Sequence, residues 1–313
     1  MDTMILVTGA TGNLGRQIVS QLLAAGHPVR ALTRDPGTAG LPDGVDVVGG
    51  DLTEPDTLAG ALSGVESVFL LWPAWTTDAV PAVLDAIATH ARRIVYLSAA
   101  VVRDDRDPAA NGFWGEIERL IERTGLAWTF LRAGGFATNT LGWADQIRAD
   151  GVVHWSYGAA ARSLIHERDL AAVAVRALTE DKHAGAKYVL TGPAAVTQAD
   201  QVRIIGEVVG RATRWAELPR AVARQQLLAM WDDPGFVDGA LDHWASLVTK
   251  PEQVTNTVEA VTGTPARTFR EWAADHIEDF RPSDAAGDVE GFAGDVAVGG
   301  GAEKQDGVGD VVR

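Results

Sequence analysis

The sequence predicts an α/β protein built on a doubly wound parallel sheet, with a smaller and mainly helical region beside it. Three observations carry this prediction. Short apolar or β-branched runs alternate with segments of helical spacing, a glycine-rich turn follows the first run, and Pro219, Pro234, Pro251 and Pro265 interrupt a helical second half. Apolar strands joined by helices favour a parallel sheet covered on both faces, because the crossovers are right-handed.

The elements follow in order along the chain. The six runs that we interpret as strands of the first half cover residues 4–7, 28–32, 45–48, 67–71, 93–97 and 127–131. The first predicted helix, 17–25, has Ile18, Leu22 and Leu23 at helical spacing. After Arg132 the pattern loosens until about Tyr157. Residues 168–178 then indicate a helix, and 187–190 indicate a strand that we expect to rejoin the sheet.

Composition narrows the class of protein. The chain has 313 residues, of which 46% are hydrophobic and 22% charged, as in an ordinary globular protein, and it contains no apolar run long enough to span a membrane. The absence of cysteine excludes disulfides, thiolate catalysis and cysteine-ligated zinc. A net charge of −15 opposes the phosphates of nucleic acid. We therefore expect neither a nucleic-acid nor a membrane partner, and a cytoplasmic location because no secretion signal opens the chain.

A glycine-rich turn gives the sharpest local signal. Residues 8–15, Thr-Gly-Ala-Thr-Gly-Asn-Leu-Gly, lie between the first strand and the first helix. Gly9 allows a tight turn, Gly12 lets the backbone approach a pyrophosphate, and Gly15 lets the helix pack closely. We therefore predict a dinucleotide-binding Rossmann domain over residues 1–133, which 166–192 rejoins. The predicted cofactor contacts of this turn are Gly9, Thr11, Gly12, Asn13, Leu14 and Gly15.

The end of the second strand predicts the choice of cofactor. An NAD-specific fold places an acid there, which accepts a hydrogen bond from the ribose 2′-hydroxyl, whereas a 2′-phosphate needs a cation. This position is Thr33, followed by Arg34, and Asp35 lies beyond the predicted strand end. The sequence therefore favours NADPH over NADH. The alternative is that Arg34 is a solvated surface charge.

Beyond the loop, further stretches make the chain similar to a known family. These are residues 29–36, 50–52, 95–98, 125–132, 169–171 and 188–193, which read VRALTRDP, GDL, VYLS, GLAWTFLR, DLA and YVLTGP. With the loop, they resemble the NmrA-like family of atypical short-chain dehydrogenases over residues 4–280. Ala133 departs from the family, which often has proline at this position.

The resemblance implies further site residues. Asp51 and Leu52 would flank the adenine, although Asp51 is equally well explained as a turn residue. Leu71, Trp72 and Pro73 would pass beside the nicotinamide half of the cofactor. Phe136 and Asn139 lie in the loop that resembles the substrate side of the family. The helical signals and prolines themselves predict that residues 134–280 form a mainly helical substrate-side region, and Trp114 and Trp143 lie in segments predicted to meet above the nicotinamide, so the predicted substrate pocket includes both.

The catalytic pair of ordinary short-chain dehydrogenases is missing. That pair is a tyrosine with a lysine four residues later, which lowers the tyrosine pKa. The chain has only Tyr96, Tyr157 and Tyr188, and none has this lysine. The family alignment puts Ala110 and Trp114 at the two positions and Ala99 or Ala100 where a serine would assist. No catalytic residue is assigned, and the histidine spacing indicates no metal site.

These observations favour an NADPH-dependent oxidoreductase that transfers hydride to an electron-poor aromatic or quinone-like molecule. Ten tryptophans favour a flat, apolar substrate if several line one cavity; the alternative is that they pack in the core. Two other functions remain open. One is a dinucleotide-sensing regulator without turnover, which would need a protein partner, and the other is a non-redox cyclase or isomerase on the same fold. Residues 281–313 are poor in bulky apolar groups, with no aromatic residue after Phe292, and are predicted to form a disordered acidic tail.

Overall fold

The central sheet contains seven strands in the computed structural model, which describes residues 3–281. They are β1 (Met4–Val7), β2 (Val29–Thr33), β3 (Asp46–Gly49), β4 (Val65–Leu70), β5 (Arg93–Ala99), β6 (Ala127–Ala133) and β9 (Ala186–Leu190). The strand order is β3-β2-β1-β4-β5-β6-β9, and all neighbours pair in parallel. The predicted doubly wound parallel fold is confirmed, and the strand ends differ from the predicted ones by at most two residues.

The order of the strands reverses beside β1. From there β2 and β3 extend to one side, and β4, β5 and β6 to the other. Because all seven strands are parallel, their carboxyl ends lie on one edge of the sheet. In such sheets ligands bind in the crevice at this edge where the order reverses. The fold therefore places the glycine-rich turn after β1 at the ligand-binding crevice.

Helices cover both faces of the sheet. One face packs against α1 (Asn13–Ala24), α6 (Glu167–Thr179) and α10 (Thr257–Thr262). The other packs against α2 (Ala59–Leu62), α3 (Val80–His90) and α4 (Gly112–Glu122). Since α6 lies against α1 and β9 pairs with β6, the second half of the chain contributes a helix and an edge strand to the sheet domain. The domain boundaries given above stay a prediction.

The smaller region combines helices with short strands. In it β7 (Val152–Trp155) pairs with β11 (Arg214–Glu217), and β8 (Ala161–Arg162) with β10 (Val196–Thr197). The helices of this region are α5 (Ala144–Ala149), α7 (Gln198–Val209), α8 (Arg220–Trp231), α9 (Pro234–Ser246), α11 (Phe269–Asp275) and α12 (Ile277–Phe280). These four strands were not predicted. β8 and β10 have only two residues each, and β7 and β11 lie where the sequence has lost the alternation of strands and helices that the first half shows.

Two of the predicted breaks begin helices of this region. Pro219 immediately precedes α8, and Pro234 is the first residue of α9, where its missing N–H would have no helical partner. The carboxylate of Asp233 accepts a hydrogen bond from the N–H of Phe236 at 3.0 Å, which caps α9. The proline pattern thus marks helix starts correctly at these two positions.

Two sequence predictions concern the ends and the environment of the chain. The predicted acidic tail lies outside the described residues from 282 onward. Within residues 3–281, no helix combines the length and the apolar character needed to cross a bilayer.

A buried charge network fixes the carboxyl ends of β5 and β6. Arg132, 4% exposed at the end of β6, donates to both carboxylate oxygens of Glu118 at 2.6 and 2.9 Å, and Ser98 donates to the same carboxylate at 2.6 Å. Arg132 also donates to Asp104 at 2.9 and 3.1 Å, and Lys187 pairs with Asp104 at 3.1 Å. Hydrogen bonds from Arg132 are the main reason why the pKa of Asp104 is lowered to about 2. The network holds the loop between β5 and α4 against the edge of the sheet.

We predict unequal losses of stability when the two carboxylate partners of Arg132 are removed. Glu118→Ala leaves a buried guanidinium without its buried counter-charge, which should lower the free energy of unfolding by about 3–5 kcal/mol. Asp104→Ala removes a carboxylate whose side chain is 62% exposed, and should cost less than about 1 kcal/mol. Urea denaturation measures both. Equal losses would contradict the dominance of the buried pair.

Candidate cofactor and substrate site

The glycine-rich turn connects β1 to α1, and its three glycines have different environments. Gly9 has a φ of 61°, in the left-handed region that favours glycine. A Cβ on Gly12 would meet nothing closer than the Gly9 carbonyl oxygen at 3.5 Å, so this backbone is open to a ligand. A Cβ on Gly15 would lie 2.0 Å from the same oxygen, so that α1 can approach the turn only because residue 15 lacks a side chain.

The amino end of α1 is suited to an anion. No side chain caps the helix at Gly12, and its first turn contains no acidic residue. The N–H groups of a first helical turn have no partner within the helix, and the helix dipole adds partial positive charge there. A pyrophosphate would find both the donors and the charge that it needs at this position. The turn and α1 therefore fit a dinucleotide.

Arg16 braces the turn from within α1. Its guanidinium donates to the carbonyl oxygens of Thr11 at 2.8 Å, Ala39 at 2.9 Å and Gly40 at 2.6 Å. It therefore ties the glycine-rich turn to the loop that follows β2. Sequence reasoning assigned no role to Arg16, because a single arginine on a helix has no pattern that distinguishes it from a surface charge.

The end of β2 offers a cation and no free carboxylate. Asp35 accepts hydrogen bonds from the N–H of Gly37 at 3.0 Å and the hydroxyl of Thr38 at 2.9 Å, and so caps a short 3₁₀ helix, Pro36–Thr38. Arg34 is exposed, and among the described residues no carboxylate forms an ion pair with it. The hydroxyl of Thr33 accepts from the N–H of Asp35 at 3.3 Å. This arrangement suits a 2′-phosphate better than a free 2′-hydroxyl.

Asp51 and Leu52 follow β3 on the same side of β1. Asp51 accepts from the N–H and the hydroxyl of Thr53, both at 2.8 Å, so it has the turn role that was the alternative to an adenine contact. These bonds, the backbone one most, lower the Asp51 pKa, and the charge of Arg34 adds to the effect. The Leu52 side chain is buried in the core. An adenine contact by either residue stays a prediction.

A cavity joins the turn to the ends of β4, β5 and β6. It is lined by Gly9, Gly12, Asn13, Leu14, Gly15, Leu71, Leu97, Phe136, Thr138 and Glu167. Seven of these ten residues are predicted site residues. Leu97, Thr138 and Glu167 are the additions that the structure makes. Leu97 was visible in the sequence only as an apolar strand residue, and Glu167 only as a helix-start acid.

Trp72 and Pro73 continue the loop after β4. Trp72 is 5% exposed, packs in the core of the α3 and α4 face, and donates its indole N–H to the carbonyl oxygen of Thr76 at 2.9 Å. Pro73 is half-buried. Of the three residues predicted beside the nicotinamide, Leu71 lines the cavity, whereas the Trp72 ring packs in the core and bonds to its own loop.

A row of aromatic rings extends from α4 to the smaller region. Successive ring centroids are 4.1 to 6.5 Å apart. The row consists of Trp114, Phe113, Trp75, Phe236, Trp231, Trp244 and Trp155. It links the sheet domain to α8 and α9, and Trp75, 53% exposed, is its most accessible member among the large apolar residues. Trp143 is not part of the row; it is buried edge-on against Trp215 in the core around α7 and α11.

Asn139 contains a buried acceptor without a partner. Its side-chain oxygen has no hydrogen-bond partner among the described residues, whereas its backbone N–H donates to the Phe136 carbonyl at 3.2 Å. A buried polar atom of this kind is costly unless something donates to it. It lies in the loop after β6, four residues or fewer from Phe136 and Thr138, which line the cavity. A ligand donor would satisfy it.

None of the three tyrosines lines the cavity. Tyr96 is buried, and burial, aided by the charge of Glu118, raises its pKa well above the usual value. Tyr157 accepts from Arg220 at 3.2 Å, and Tyr188 bonds to His183 at 2.8 Å. Ala110 has no polar side-chain group, and the indole N–H of Trp114 can donate a hydrogen bond but is not acidic enough to protonate an alkoxide. In the part of the chain that is described, no cluster of three or more histidines and carboxylates could hold a metal ion.

Comparison with known proteins gives the family. Residues 9–181 match the family described as NAD(P)H-binding. The chain is 39% identical over 290 residues to a (4-alkanoyl-5-oxo-2,5-dihydrofuran-3-yl)methyl phosphate reductase of Streptomyces griseus, covering 89% of this chain and 100% of that one. It is 35% identical over 286 residues to an NAD(P)H azoreductase of Xenophilus azovorans, covering 88% and 99%.

A solved structure agrees with these relatives. The NADPH-dependent quinone oxidoreductase of Escherichia coli superimposes with a TM-score of 0.70 at 26% identity, over 87% of this chain and 99% of that one. Fold, motifs and relatives therefore agree. The chain belongs to the NAD(P)H-binding family, among the NmrA-like atypical short-chain dehydrogenases.

Proposed function

We propose that the protein is an NADPH-dependent oxidoreductase that transfers hydride to an electron-poor aromatic or quinone-like small molecule. The observation that carries this proposal is the cavity at the carboxyl ends of β4, β5 and β6. It joins a dinucleotide-binding turn to apolar side chains and contains no tyrosine or lysine. The relatives named as an azoreductase and a quinone oxidoreductase support the same class of acceptor.

The proposed cofactor position follows the strand order. Arg34 and Asp51 lie at the ends of β2 and β3, on the adenine side of β1, and the α1 amino end receives the pyrophosphate. Leu71 and Phe136 lie on the other side, beside the nicotinamide. When bound, NADPH supplies the hydride. The residues of the protein orient the two reactants and exclude water from the cavity.

The missing acid is consistent with an electron-poor acceptor. A simple ketone that receives hydride becomes an alkoxide, which needs a proton as it forms. A quinone or a conjugated acceptor spreads the two electrons over its π system, so the resulting anion is stable enough to take its proton from water later. An acid at position 110 or 114 is then not required.

The aromatic row suits a flat and apolar substrate. Trp114 and Phe113, 4.1 Å apart, lie at the start of α4, where the family alignment places the catalytic pair. Aromatic faces bind planar rings by stacking and offer few hydrogen bonds. Asn139 adds one unsatisfied acceptor, which fits an N–H or O–H of the bound molecules. The ring of Trp143 packs against Trp215, so its place in the proposed pocket rests only on its position in the segment that follows Phe136 and Asn139.

A second candidate function is a dinucleotide sensor that acts through a protein partner without turnover. The vacant catalytic positions favour it as much as they favour an acid-independent reductase. A cyclase or isomerase has no observation of its own in support. The expected cytoplasmic location stays a prediction.

We predict that Arg34 sets the preference for NADPH over NADH. Charge-assisted hydrogen bonds contribute about 1.5–3 kcal/mol, so Arg34→Ala should weaken NADPH binding about tenfold or more and leave NADH binding nearly unchanged. Fluorescence titration with both cofactors measures this. Arg92→Ala, an exposed arginine at the opposite edge of the sheet, is the control and should change neither affinity. Equal NADPH and NADH affinities in the unmodified protein would contradict the assignment.

We predict that quinones and simple ketones differ by about 100-fold or more in the rate at which they oxidise NADPH. The reason is that general acid catalysis accelerates the reduction of a ketone by at least this factor, and the chain lacks the tyrosine–lysine pair that would supply it. Quinones and azo compounds should oxidise NADPH, followed by its absorbance, much faster than simple ketones.

Gly12→Asp should abolish the reaction by placing a negative charge against the pyrophosphate. Trp114→Lys should not create ketone reduction, because no tyrosine accompanies it. Measured NADPH binding without consumption across the panel would favour the sensor instead.

A further inference from the structure

Glu167 is a buried carboxylate on the cavity that the family motifs do not include. It is 3% exposed, occupies the first position of α6, and lines the same cavity as the glycine-rich turn. A buried carboxylate costs free energy unless it is paired or hydrogen-bonded. The cavity also contains Leu97, Phe136 and Thr138, and the chain just before Glu167 pairs with this part of it, because Ile165 forms a β-bridge with Phe136.

Two side chains hydrogen-bond this carboxylate and hold it in place. The indole N–H of Trp272 donates to Oε2 at 3.1 Å, and His276 Nε2 lies 2.8 Å from Oε1. His166 Nδ1 lies 3.2 Å from Oε2, but this nitrogen accepts a hydrogen bond from the backbone N–H of Arg168 and so caps α6. Burial raises the Glu167 pKa, but the contacts with His166 and His276 outweigh it and lower the pKa below its usual range. Glu167 is therefore ionised at neutral pH and fixed in orientation.

The surroundings do not cancel its charge. Around Glu167, Arg168 pairs with Asp275 at 2.7 Å, and Asp275 also contacts His166 at 3.2 Å. His276 lies between Glu167 and Asp279, the latter at 2.8 Å. The pair of Asp169 and Arg267 completes the cluster. The carboxylates outnumber the arginines by two, so the cluster stays negative even when one histidine is protonated.

The position of this charge relates it to one half of the cofactor. The cavity that Glu167 lines extends from the glycine-rich turn to Leu71, Leu97 and Phe136, which follow or belong to β4, β5 and β6, whereas Arg34 lies at the end of β2 on the other side of β1. A carboxylate would repel the phosphates at the turn, so the part of the cofactor that it can favour is the nicotinamide, which is neutral in NADPH and positively charged in NADP⁺. A fixed negative charge beside this ring stabilises the cation and leaves the neutral ring almost unaffected.

We propose that Glu167 contacts the nicotinamide half and binds its oxidised, cationic form more tightly than its reduced form, which strengthens hydride donation. This inference rests on the proposed cofactor site. Glu167 would favour the reaction by stabilising the oxidised hydride donor, whereas the chain has no tyrosine–lysine pair to stabilise the reduced acceptor. Hydride transfer breaks the C–H bond of the reduced nicotinamide and moves the proton with both bonding electrons to the acceptor, and the positive charge that forms then lies beside Glu167.

The test compares two dissociation constants. NADP⁺ and NADPH are titrated at pH 7 against the unmodified protein and Glu167→Gln, which keeps the shape and removes the charge. The ratio of the NADP⁺ constant to the NADPH constant should rise about tenfold, as expected for loss of one charge at short range in a protein interior. Glu252→Gln, a buried carboxylate paired with Arg162 and outside the cavity lining, is the control and should leave the ratio unchanged.

A second variant keeps the test decisive if Glu167→Gln does not fold. His276→Asn retains a donor for Glu167 and removes a positive charge, because contacts with Glu167 and Asp279 overcome the effect of burial and raise the His276 pKa. At pH 6.5 the same ratio should fall about threefold, opposite to the change in Glu167→Gln.

The outcomes separate this inference from the proposed function. An unchanged ratio in a folded Glu167→Gln protein, an equal weakening of both ligands, or an unchanged or higher ratio in His276→Asn would overturn it. All these readouts are binding constants. A protein without turnover would still give the predicted shifts, so failure of the reductase function leaves this test intact.

Discussion

The close approach of α1 to the glycine-rich turn is the constraint on which the site depends. A side chain at Gly15 would overlap the Gly9 carbonyl, so the helix could not start where it does. Its amino end would then point away from the crevice where the strand order reverses. Arg16 reinforces the same approach by binding Thr11 and the loop after β2. The close contact of Gly15 with the Gly9 carbonyl therefore brings the amino end of α1 and the open backbone at Gly12 to the carboxyl edge of the sheet.

The opposite side of the crevice is organised by charges in place of a catalytic acid. Arg132 holds the loop between β5 and α4 through Asp104 and holds α4 itself through Glu118. Glu167 is held by residues of α11 and of the α11–α12 junction, so the C-terminal helices reach the cavity beside the glycine-rich turn through it. The buried carboxylates fix the positions of neighbouring segments and set the electrostatic potential of the cavity. This fits a reaction whose difficulty lies in donating hydride and not in protonating the product.

The sequence predicted the parts of the molecule that repeat a pattern. The strands of the central sheet alternate regularly with helices, and the three glycines have fixed spacing, so both could be predicted without a structure. The strands β7 and β11 are as short as β1 and β3, but they lie in a part of the sequence without this alternation. Arg16 and Glu167 depend on contacts with distant segments, Gly40 and Trp272, which no local pattern encodes. The ring of Trp143 packs against Trp215, and its place in a substrate pocket stays a prediction, because tryptophan content alone cannot distinguish a cavity wall from a core.

The central claim is that hydride moves to an acceptor that needs no protonation by the protein as the bond forms. Single-turnover rates with a quinone, measured with NADPH deuterated at C4 and separately in D₂O, test it most directly. The account predicts a primary isotope effect clearly above unity for the deuterated cofactor and a solvent isotope effect close to unity. A large solvent isotope effect on the hydride-transfer step would contradict this claim, because it would show that a proton is transferred in the same transition state.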